Sequence, residues 1–323
     1  MKINPSQIKN TAIEVIEKEQ AAIAELKQSI SDSFAAVVQL IYQSKGRLIV
    51  TGIGKSALIG QKLVATFNST GTPSVFMHAA DAIHGDLGMV QPDDIVMCLS
   101  KSGNTSEIKV LVPLIRQMGN PLIGMVANTA SFLGEHADYV IQATAREEAG
   151  PSNLAPTVST TTQLVMGDAL AVCLLTLRGF TEANFARFHP GGSLGKKLYT
   201  RVEDIMDKSL HPSVKPTETI RETIFEISRN RLGATAVESE DGQLLGIITD
   251  GDVRRMVERG QALETLCAQD VMSKSPKCID KKQLAVTAYD QMQQHKITQL
   301  VVVDNKLYIG MIHIHDILRE GII

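Results

Sequence analysis

The sequence has few of the features that mark secreted or nucleic-acid-binding proteins. Its 323 residues include no tryptophan and only four cysteines, and its formal net charge is only −3. This charge favours neither nucleic acid nor an anionic membrane as a partner. The cysteines lack the paired spacing of a metal site, so we interpret them as free thiols in a reducing cytosol: they are Cys98, Cys173, Cys267 and Cys278.

Long apolar runs are also missing. The N-terminus has the polar, helical periodicity of a surface helix and does not resemble a signal peptide. The longest apolar stretch, Ala169 to Leu177, is too short to span a bilayer. The sequence therefore predicts a cytoplasmic protein without a membrane partner.

From Arg47 onward, short apolar strands alternate with helices, a pattern typical of a parallel sheet covered on both faces. We predict a doubly wound α/β domain with a five-stranded parallel sheet. The predicted strands are 48–51, 74–78, 94–100, 121–127 and 139–144. The predicted helices are 55–70, 104–118, 130–136 and 157–177, preceded by a helical segment over 6–42.

An internal repeat begins after Thr200. Asp204-Ile205-Met206 is echoed by Asp270-Val271-Met272, and the segment 246–252 by 310–316. Each copy has about sixty residues, which is too few for much stability alone, so we expect the copies to share a core. We predict an α/β domain at 1–200, followed by α+β repeats at 201–264 and 265–323.

Two predicted strands end in small, hydroxyl-rich turns that begin helices: Gly52-Ile53-Gly54-Lys55-Ser56 and Ser100-Lys101-Ser102-Gly103. Backbone N–H groups at a helix start bind anions, so two such turns on neighbouring strands predict a phosphate-bearing small molecule. Lys55 stands in the first turn of its helix, where a cation costs roughly 0.3–1 kcal/mol. Lys55 is therefore a candidate for a functional role.

The first turn is also compatible with a second class of protein, the dinucleotide-binding enzymes. Gly52-x-Gly54-x-x-Ala57, followed by Asp81, fits the loose form of a dinucleotide-binding fingerprint. A nicotinamide-dependent oxidoreductase is thus one alternative. Ile49 occupies the position of the first glycine of a Walker A loop, which argues against nucleotide hydrolysis.

Carboxylates and histidines follow the predicted strands. Glu107 is either functional or structural, because Asn104-x-x-Glu107 has capping-box spacing. His78 and His84 are either packing residues or candidates for acid–base work or metal contact. Glu147 and Glu148 form either a solvated pair or a general base whose pKa is raised by their mutual repulsion.

These motifs, in their order, resemble a sugar isomerase (SIS) domain followed by a pair of cystathionine-β-synthase (CBS) modules. The SIS motifs are Gly-x-Gly-Lys-Ser at 52–56, His-Gly-Asp-Leu-Gly at 84–88, Ser-x-Ser-Gly-x-Thr-x-Glu at 100–107, Ser-Thr-Thr-Thr at 159–162 and His-Pro-Gly-Gly-x-Leu-Gly at 189–195. The arrangement resembles the bacterial D-arabinose-5-phosphate isomerases over essentially the whole chain.

The resemblance implies interconversion of D-ribulose 5-phosphate and D-arabinose 5-phosphate through an enediol, a step that feeds Kdo synthesis for lipopolysaccharide or capsule. It implies a homotetramer with active sites built across subunits, no cofactor and no required metal, with His78 a contact for inhibitory zinc. The implied catalytic residues are Lys55, Glu107, Glu148, His189 and His84. The implied substrate contacts are Gly54, Ser56, His78, His84, Ser100, Ser102, Asn104, Thr105, Ser159 and Thr160.

This chemistry needs a base, a cation for the developing oxyanion and a phosphate anchor. We predict Glu148 as the base with Glu107 as its rival, Lys55 as the cation, and His84 or His189 for ring opening or proton shuttling. A non-catalytic sugar-phosphate sensor remains the other alternative, although such regulators usually carry a helix-turn-helix.

The repeats resemble CBS modules, which often bind an adenosine nucleotide at a Gly-x-x-Thr-x-x-Asp turn. The first copy has Gly246, Thr249 and Asp252, whereas the second has His313 in place of threonine and keeps Asp316. The resemblance implies nucleotide contacts at Thr249, Asp252 and Asp316. A module that serves only oligomerisation is an equally good interpretation.

Overall fold

The computed structural model describes residues 4–150, 152–260, 263 and 265–323, which divide into two compact units between Phe188 and His189. The predicted domain limits at residues 1 and 264 lie outside the described residues.

The first unit contains a parallel five-stranded sheet. Its strands are β1 (Leu48–Gly52), β2 (Ser74–His78), β3 (Ile95–Ser100), β4 (Leu122–Val126) and β5 (Tyr139–Gln142). Its helices are α1 (Pro5–Glu25), α2 (Asp32–Gln43), α3 (Lys55–Ser69), α4 (Ala79–Ala82), α5 (Ser106–Met118), α6 (Phe132–His136), α7 (Val158–Leu177) and α8 (Glu182–Phe188). Short 3₁₀ turns occupy Leu26–Ser29 and Asp86–Met89.

The strand order is β2-β1-β3-β4-β5, with every pair parallel. The chain therefore leaves β1 in one direction and returns to its other side at β3, which creates a topological switch point between these two strands. β1, β3 and β4 are buried along their whole length, which explains their continuous apolar runs. The predicted doubly wound α/β fold is confirmed.

Apolar clusters cover both faces of the sheet. One face packs against α2, α3 and α7, with Val50, Met97 and Leu99 among its core residues. The other face packs against α4 and α5, with Val96 and Cys98 in its core. Side chains of β3 thus alternate between the two faces, as the strand period requires.

The helix α7 is the central helix on the sheet face that also packs against α2 and α3. Within the described part of the chain it alone is long and apolar enough to cross a membrane, and half of its most apolar window is buried. It contacts α1, α2 and α3, and its buried residues include Ser159, Thr162 and Gln163. The sequence prediction that the longest apolar stretch is too short to span a bilayer rested on residues 169–177, which form only the C-terminal half of α7.

The predicted N-terminal helical segment is interrupted. α1 is followed by the 3₁₀ turn and by Ile30, whose φ of −79° and ψ of 88° break the helix before α2. The exposed face of α1 carries Ile8, Ile13 and Ile16.

The second unit contains two three-stranded sheets, ordered β6-β7-β8 and β11-β10-β9. Its strands are β6 (Ser213–Val214), β7 (Ala234–Glu238), β8 (Leu244–Thr249), β9 (Cys278–Asp280), β10 (Gln299–Asp304) and β11 (Leu307–His313). Its helices are α9 (Ser193–Tyr199), α10 (Val202–Ile205), α11 (Ile220–Asn230), α12 (Asp250–Glu258), α13 (Ala268–Val271), α14 (Ala285–His295) and α15 (Ile314–Arg319).

The two repeats share a core, as predicted. Ala234 and Ala236 of β7 pack with Val301 of β10 and with Tyr308 and Met311 of β11. The Tyr308 hydroxyl donates a hydrogen bond to the carbonyl of Pro212 at 2.9 Å. Apolar packing and this hydrogen bond therefore join the copies directly.

Candidate active site

A cavity of about 230 Å³ lies at the switch point, above the carboxyl ends of β1 and β3. The starts of α3, α5 and α7 surround it, and each presents backbone N–H groups or hydroxyls. Its lining residues are Ile53, Lys55, Ser56, Leu99, Ser100, Lys101, Ser102, Thr105, Pro156, Ser159 and Thr160. Three helix starts around one cavity favour an anionic ligand.

The turn after β1 depends on its glycines. A Cβ on Gly52 would lie 3.1 Å from the Leu99 carbonyl oxygen and 3.2 Å from the Ser56 carbonyl carbon. Gly54 caps α3 with φ 58°, a conformation that a side chain would strain. This geometry places Lys55 as the first residue of α3, where it is exposed and has no hydrogen-bond or ion-pair partner within the described residues.

The turn after β3 is fixed by its own hydrogen bonds. The Gly103 N–H donates to Ser100 Oγ at 3.0 Å, and the Asn104 side chain donates to the Ser102 carbonyl at 3.0 Å. Asn104 Oδ1 also accepts from the Phe132 N–H at 3.1 Å. Asn104 therefore holds the turn in place and does not line the cavity.

Thr105 and Glu107 begin α5. Thr105 is the N-cap, and its Oγ1 is buried without a hydrogen-bond partner while the residue lines the cavity. The capping-box interpretation of Asn104 and Glu107 is wrong, because the helix begins one residue later than that spacing assumed. Half-buried Glu107 accepts a hydrogen bond from Ser106 Oγ at 3.0 Å.

Glu148 lies directly behind the cavity wall, with only 1% of its side chain exposed. Lys101 Nζ and Ser159 Oγ each lie 2.5 Å from its Oε1. Its Oε2 accepts from the backbone N–H groups of Thr157 at 2.8 Å and Ser159 at 3.1 Å, and from Thr157 Oγ1 at 3.3 Å. The Glu148 N–H donates to Asn153 Oδ1 at 2.5 Å. This network ties the segment after β5 to the start of α7.

Hydrogen bonds control the ionisation of this carboxyl. Burial alone would raise the pKa of Glu148, but the donors from Lys101, Ser159 and Thr157 outweigh it and lower that pKa to about 2. The predicted direction was the opposite. Adjacent Glu147 is exposed and lies 3.7 Å from Lys18, so Lys101, and not Glu147, is the charge beside Glu148.

The predicted histidines of the first unit, His78 and His84, are not among the residues that line the cavity. His78 ends β2, pairs in register with Gly52, and caps α4 by accepting from the Ala80 N–H at 3.3 Å. His84 is exposed in the turn that follows α4. His189 begins the second unit.

The structure thus brings together seven predicted residues in the cavity lining, namely Lys55, Ser56, Ser100, Ser102, Thr105, Ser159 and Thr160. Sequence reasoning missed Lys101, which lines the cavity and contacts Glu148. The available signal was a second lysine within a hydroxyl-rich turn.

The candidate nucleotide residues of the repeats cap helices. Asp252 Oδ2 accepts from Thr249 N at 2.9 Å and from Thr249 Oγ1 at 2.6 Å, while its Oδ1 lies 2.6 Å from Arg255. Asp316 accepts from the His313 N–H at 3.0 Å in the second copy. Burial alone would raise the pKa of Asp252, but the hydrogen bonds from Thr249 and Arg255 lower it.

Comparison with known proteins places these units in families. The SIS domain family matches residues 40–173, and the CBS domain family matches 202–259 and 268–322. The chain is 43% identical over 324 residues to arabinose 5-phosphate isomerase KdsD of Francisella tularensis, covering 99% of each chain. It is also 43% identical over 311 residues to the protein of that name from Escherichia coli K12, covering 96% of this chain and 95% of the relative.

A solved structure is similar to part of the chain. It is an Escherichia coli CFT073 protein in complex with A5P, with 39% sequence identity and a TM-score of 0.56. The similarity covers 58% of this chain and 100% of that protein.

Proposed function

The chain belongs to the arabinose 5-phosphate isomerase family, with an SIS domain followed by two CBS domains, and we propose that its switch-point cavity carries out the isomerisation. The enzyme interconverts D-ribulose 5-phosphate and D-arabinose 5-phosphate, and its product enters Kdo synthesis. The observation that carries the assignment to this cavity is the convergence of three helix starts and two lysines, Lys55 and Lys101.

The substrate phosphate is held by the turns after β1 and β3. Ser56, Ser102 and Thr105 offer hydroxyls beside the N–H groups at the starts of α3 and α5. The unpartnered Oγ1 of Thr105 supports this assignment, because a buried hydroxyl without a partner is costly until a ligand satisfies it. Gly54, Ser100 and Asn104 keep the turns in shape, and Ser159 and Thr160 form the opposite wall.

Lys55 stabilises the enediolate that forms when a proton leaves the substrate carbon. Lys55 has no anionic partner within the described residues, and it stands at the positive end of α3. An unpaired cation gains more from a developing oxyanion than one that is already neutralised. Lys101, by contrast, is already paired with Glu148.

Glu107 is the better candidate for the proton-abstracting base. A base with a pKa near 2 has little affinity for a proton at neutral pH, and Glu148 is buried behind Lys101 and Ser159. Glu107 is half-buried in the first turn of α5, two residues after the cavity-lining Thr105, and among the described residues its carboxylate accepts a hydrogen bond from the neighbouring Ser106. Glu148 then positions the cavity wall. We retain, as proposals from the family resemblance alone, His84 and His189 for ring opening or proton shuttling and His78 as a zinc contact.

The proposal also covers the oligomeric state and the C-terminal CBS pair. Exposed Ile8, Ile13 and Ile16 on α1, at 58%, 52% and 65% exposure, support contact with a second copy in a cytoplasmic homotetramer. In the CBS pair, an adenosine nucleotide would bind at Thr249 and Asp252, with Asp316 in the second copy. Such a ligand would have to compete with Arg255 for Asp252.

The direct test is to incubate the purified protein with D-ribulose 5-phosphate and to identify the product by NMR. Formation of D-arabinose 5-phosphate without added cofactor is the expected result. Saturable binding of the sugar phosphate without turnover would instead support a sensor. Turnover that requires NAD(H) would support an oxidoreductase.

A further inference from the structure

Lys101 stands between the cavity and the buried carboxylate of Glu148. Its side chain is 36% exposed and lines the cavity. Its Nζ lies 2.5 Å from Glu148 Oε1. An ammonium group has three N–H donors, and among the described residues this one donates to Glu148. Lys101 therefore has donors to offer the cavity while it remains paired.

The strand pattern explains this position. Ile95, Met97 and Leu99 of β3 point towards the core cluster that contains α7, whereas Val96 and Cys98 point towards α5. Lys101 follows Leu99 by two positions and reaches the start of α7. In contrast, the side chains of Ser100 and Ser102 form the hydrogen bonds of the turn before α5.

We propose that Lys101 bridges the phosphate of the substrate and the carboxylate of Glu148, so that phosphate binding and the position of the α7 start are coupled. This inference rests on the proposed function, because it takes the phosphate to bind in the switch-point cavity. Lys101 is a phosphate-binding residue towards the ligand and a positioning residue towards Glu148.

The surroundings of Glu148 explain why contact between Lys101 and phosphate would affect the start of α7. The charged group facing this carboxylate among the described residues is Lys101, and its other donors are the neutral groups of Ser159 and Thr157. Because Glu148 also holds the start of α7, a shift of Lys101 towards bound phosphate acts on the wall formed by Ser159 and Thr160. A merely structural ion pair would not respond to phosphate.

The test measures the affinity of inorganic phosphate and D-arabinose 5-phosphate by calorimetry for the wild type, Lys101→Met, Lys101→Arg and Lys109→Met. Lys109 is the matched control, because it is exposed on α5 outside the cavity lining. For Lys101→Met we expect phosphate to bind about 10- to 100-fold more weakly, the range for a charge-assisted hydrogen bond. Lys101→Arg should recover part of this loss, and Lys109→Met should match the wild type.

A double-mutant cycle with Glu148→Gln separates the two roles of Lys101. If Lys101 touches phosphate, Lys101→Met weakens phosphate binding in the Glu148→Gln background as well. If Lys101 acts only through Glu148, the second substitution changes nothing there, and the proposal is overturned. Equal phosphate affinity in Lys101→Met and Lys109→Met would overturn it too.

One measurement needs no variant and covers the case in which Lys101→Met fails to fold. Inorganic phosphate should slow the acylation of Lys101 by an amine-reactive reagent, followed by mass spectrometry, and should leave Lys109 unchanged. Equal labelling of Lys101 with and without phosphate would contradict the bridge. Turnover of D-ribulose 5-phosphate by the wild type is measured separately, so a failure of the proposed function is distinguished from a failure of the bridge.

Discussion

The buried carboxylate of Glu148 predicts a defined pH dependence of stability. Its pKa is about 2 in the folded chain against an ordinary value of 4.5, so its ionised form contributes about 3 kcal/mol to stability at pH 7. Because the folded pKa is the lower one, this contribution is present above pH 4.5 and is lost as pH falls towards 2. By pH 3, about 2 kcal/mol of it is lost.

The perturbation is Glu148→Gln, which removes the charge and keeps the size of the side chain. Urea unfolding of the first unit, followed by hydrogen exchange in peptides of α7, gives the free energy of unfolding at pH 7 and pH 3. We expect the variant to be less stable by about 3 kcal/mol at pH 7 but by only about 1 kcal/mol at pH 3. Other carboxyls, such as Asp94 beside Arg47, titrate in both proteins and cancel in the difference.

The matched control is Glu147→Gln. Glu147 is 62% exposed, and its contact with Lys18 is 3.7 Å long, so its replacement should change stability by less than about 1 kcal/mol at either pH. A destabilisation by Glu148→Gln that is the same at pH 7 and pH 3 would refute the reasoning. It would mean that packing at this position, and not the ionised carboxylate, supplies the stability.

Three further predictions concern the base, the cation and the tail. Glu107→Gln should lower kcat about 10²–10⁴-fold with a smaller change in KM, and wild-type turnover in steady-state kinetics would exclude Glu107 as the base. Lys55→Met should lose most activity while its Tm stays unchanged or rises slightly, because a cation is removed from a helix start; a lower Tm with retained activity would make Lys55 structural. Asp252→Ala should destabilise the second unit by about 1 kcal/mol through loss of its capping box with Thr249, and should abolish the binding of AMP, ADP and ATP in calorimetry. Nucleotide binding that survives this substitution would place the nucleotide site elsewhere.

The sheet could be predicted because its strands are buried on both faces. Such strands are continuous apolar runs, and β1 and β3 were recognised to within one residue at each end. The two polar turns predicted on neighbouring strands do follow β1 and β3, which are adjacent in the sheet. The shared core of the repeats followed from their small size and is confirmed by the packing of Ala236 against Val301.

Local breaks in helices were less visible in the sequence. Helical periodicity continues through 26–31, although α1 ends at Glu25 and α2 begins at Asp32. The break depends on the backbone of Ile30, and isoleucine carries no turn signal of its own. In the same way, Asn104 has the spacing of a cap, but it is held by Phe132, which is distant in sequence.

The electrostatics of the site shows why local patterns misjudge function. Two adjacent glutamates suggested mutual repulsion, yet successive residues after a strand can point in different directions, and Glu147 and Glu148 do so. The partners that determine the pKa of Glu148 come from the turn after β3, 47 residues earlier, and from the start of α7. That pairing is created when the parallel strands bring their carboxyl ends to one edge of the sheet, and no window of sequence contains both ends. For the same reason the sequence alone does not identify Lys101 as the partner of Glu148, although the burial of that carboxylate makes a nearby cation necessary.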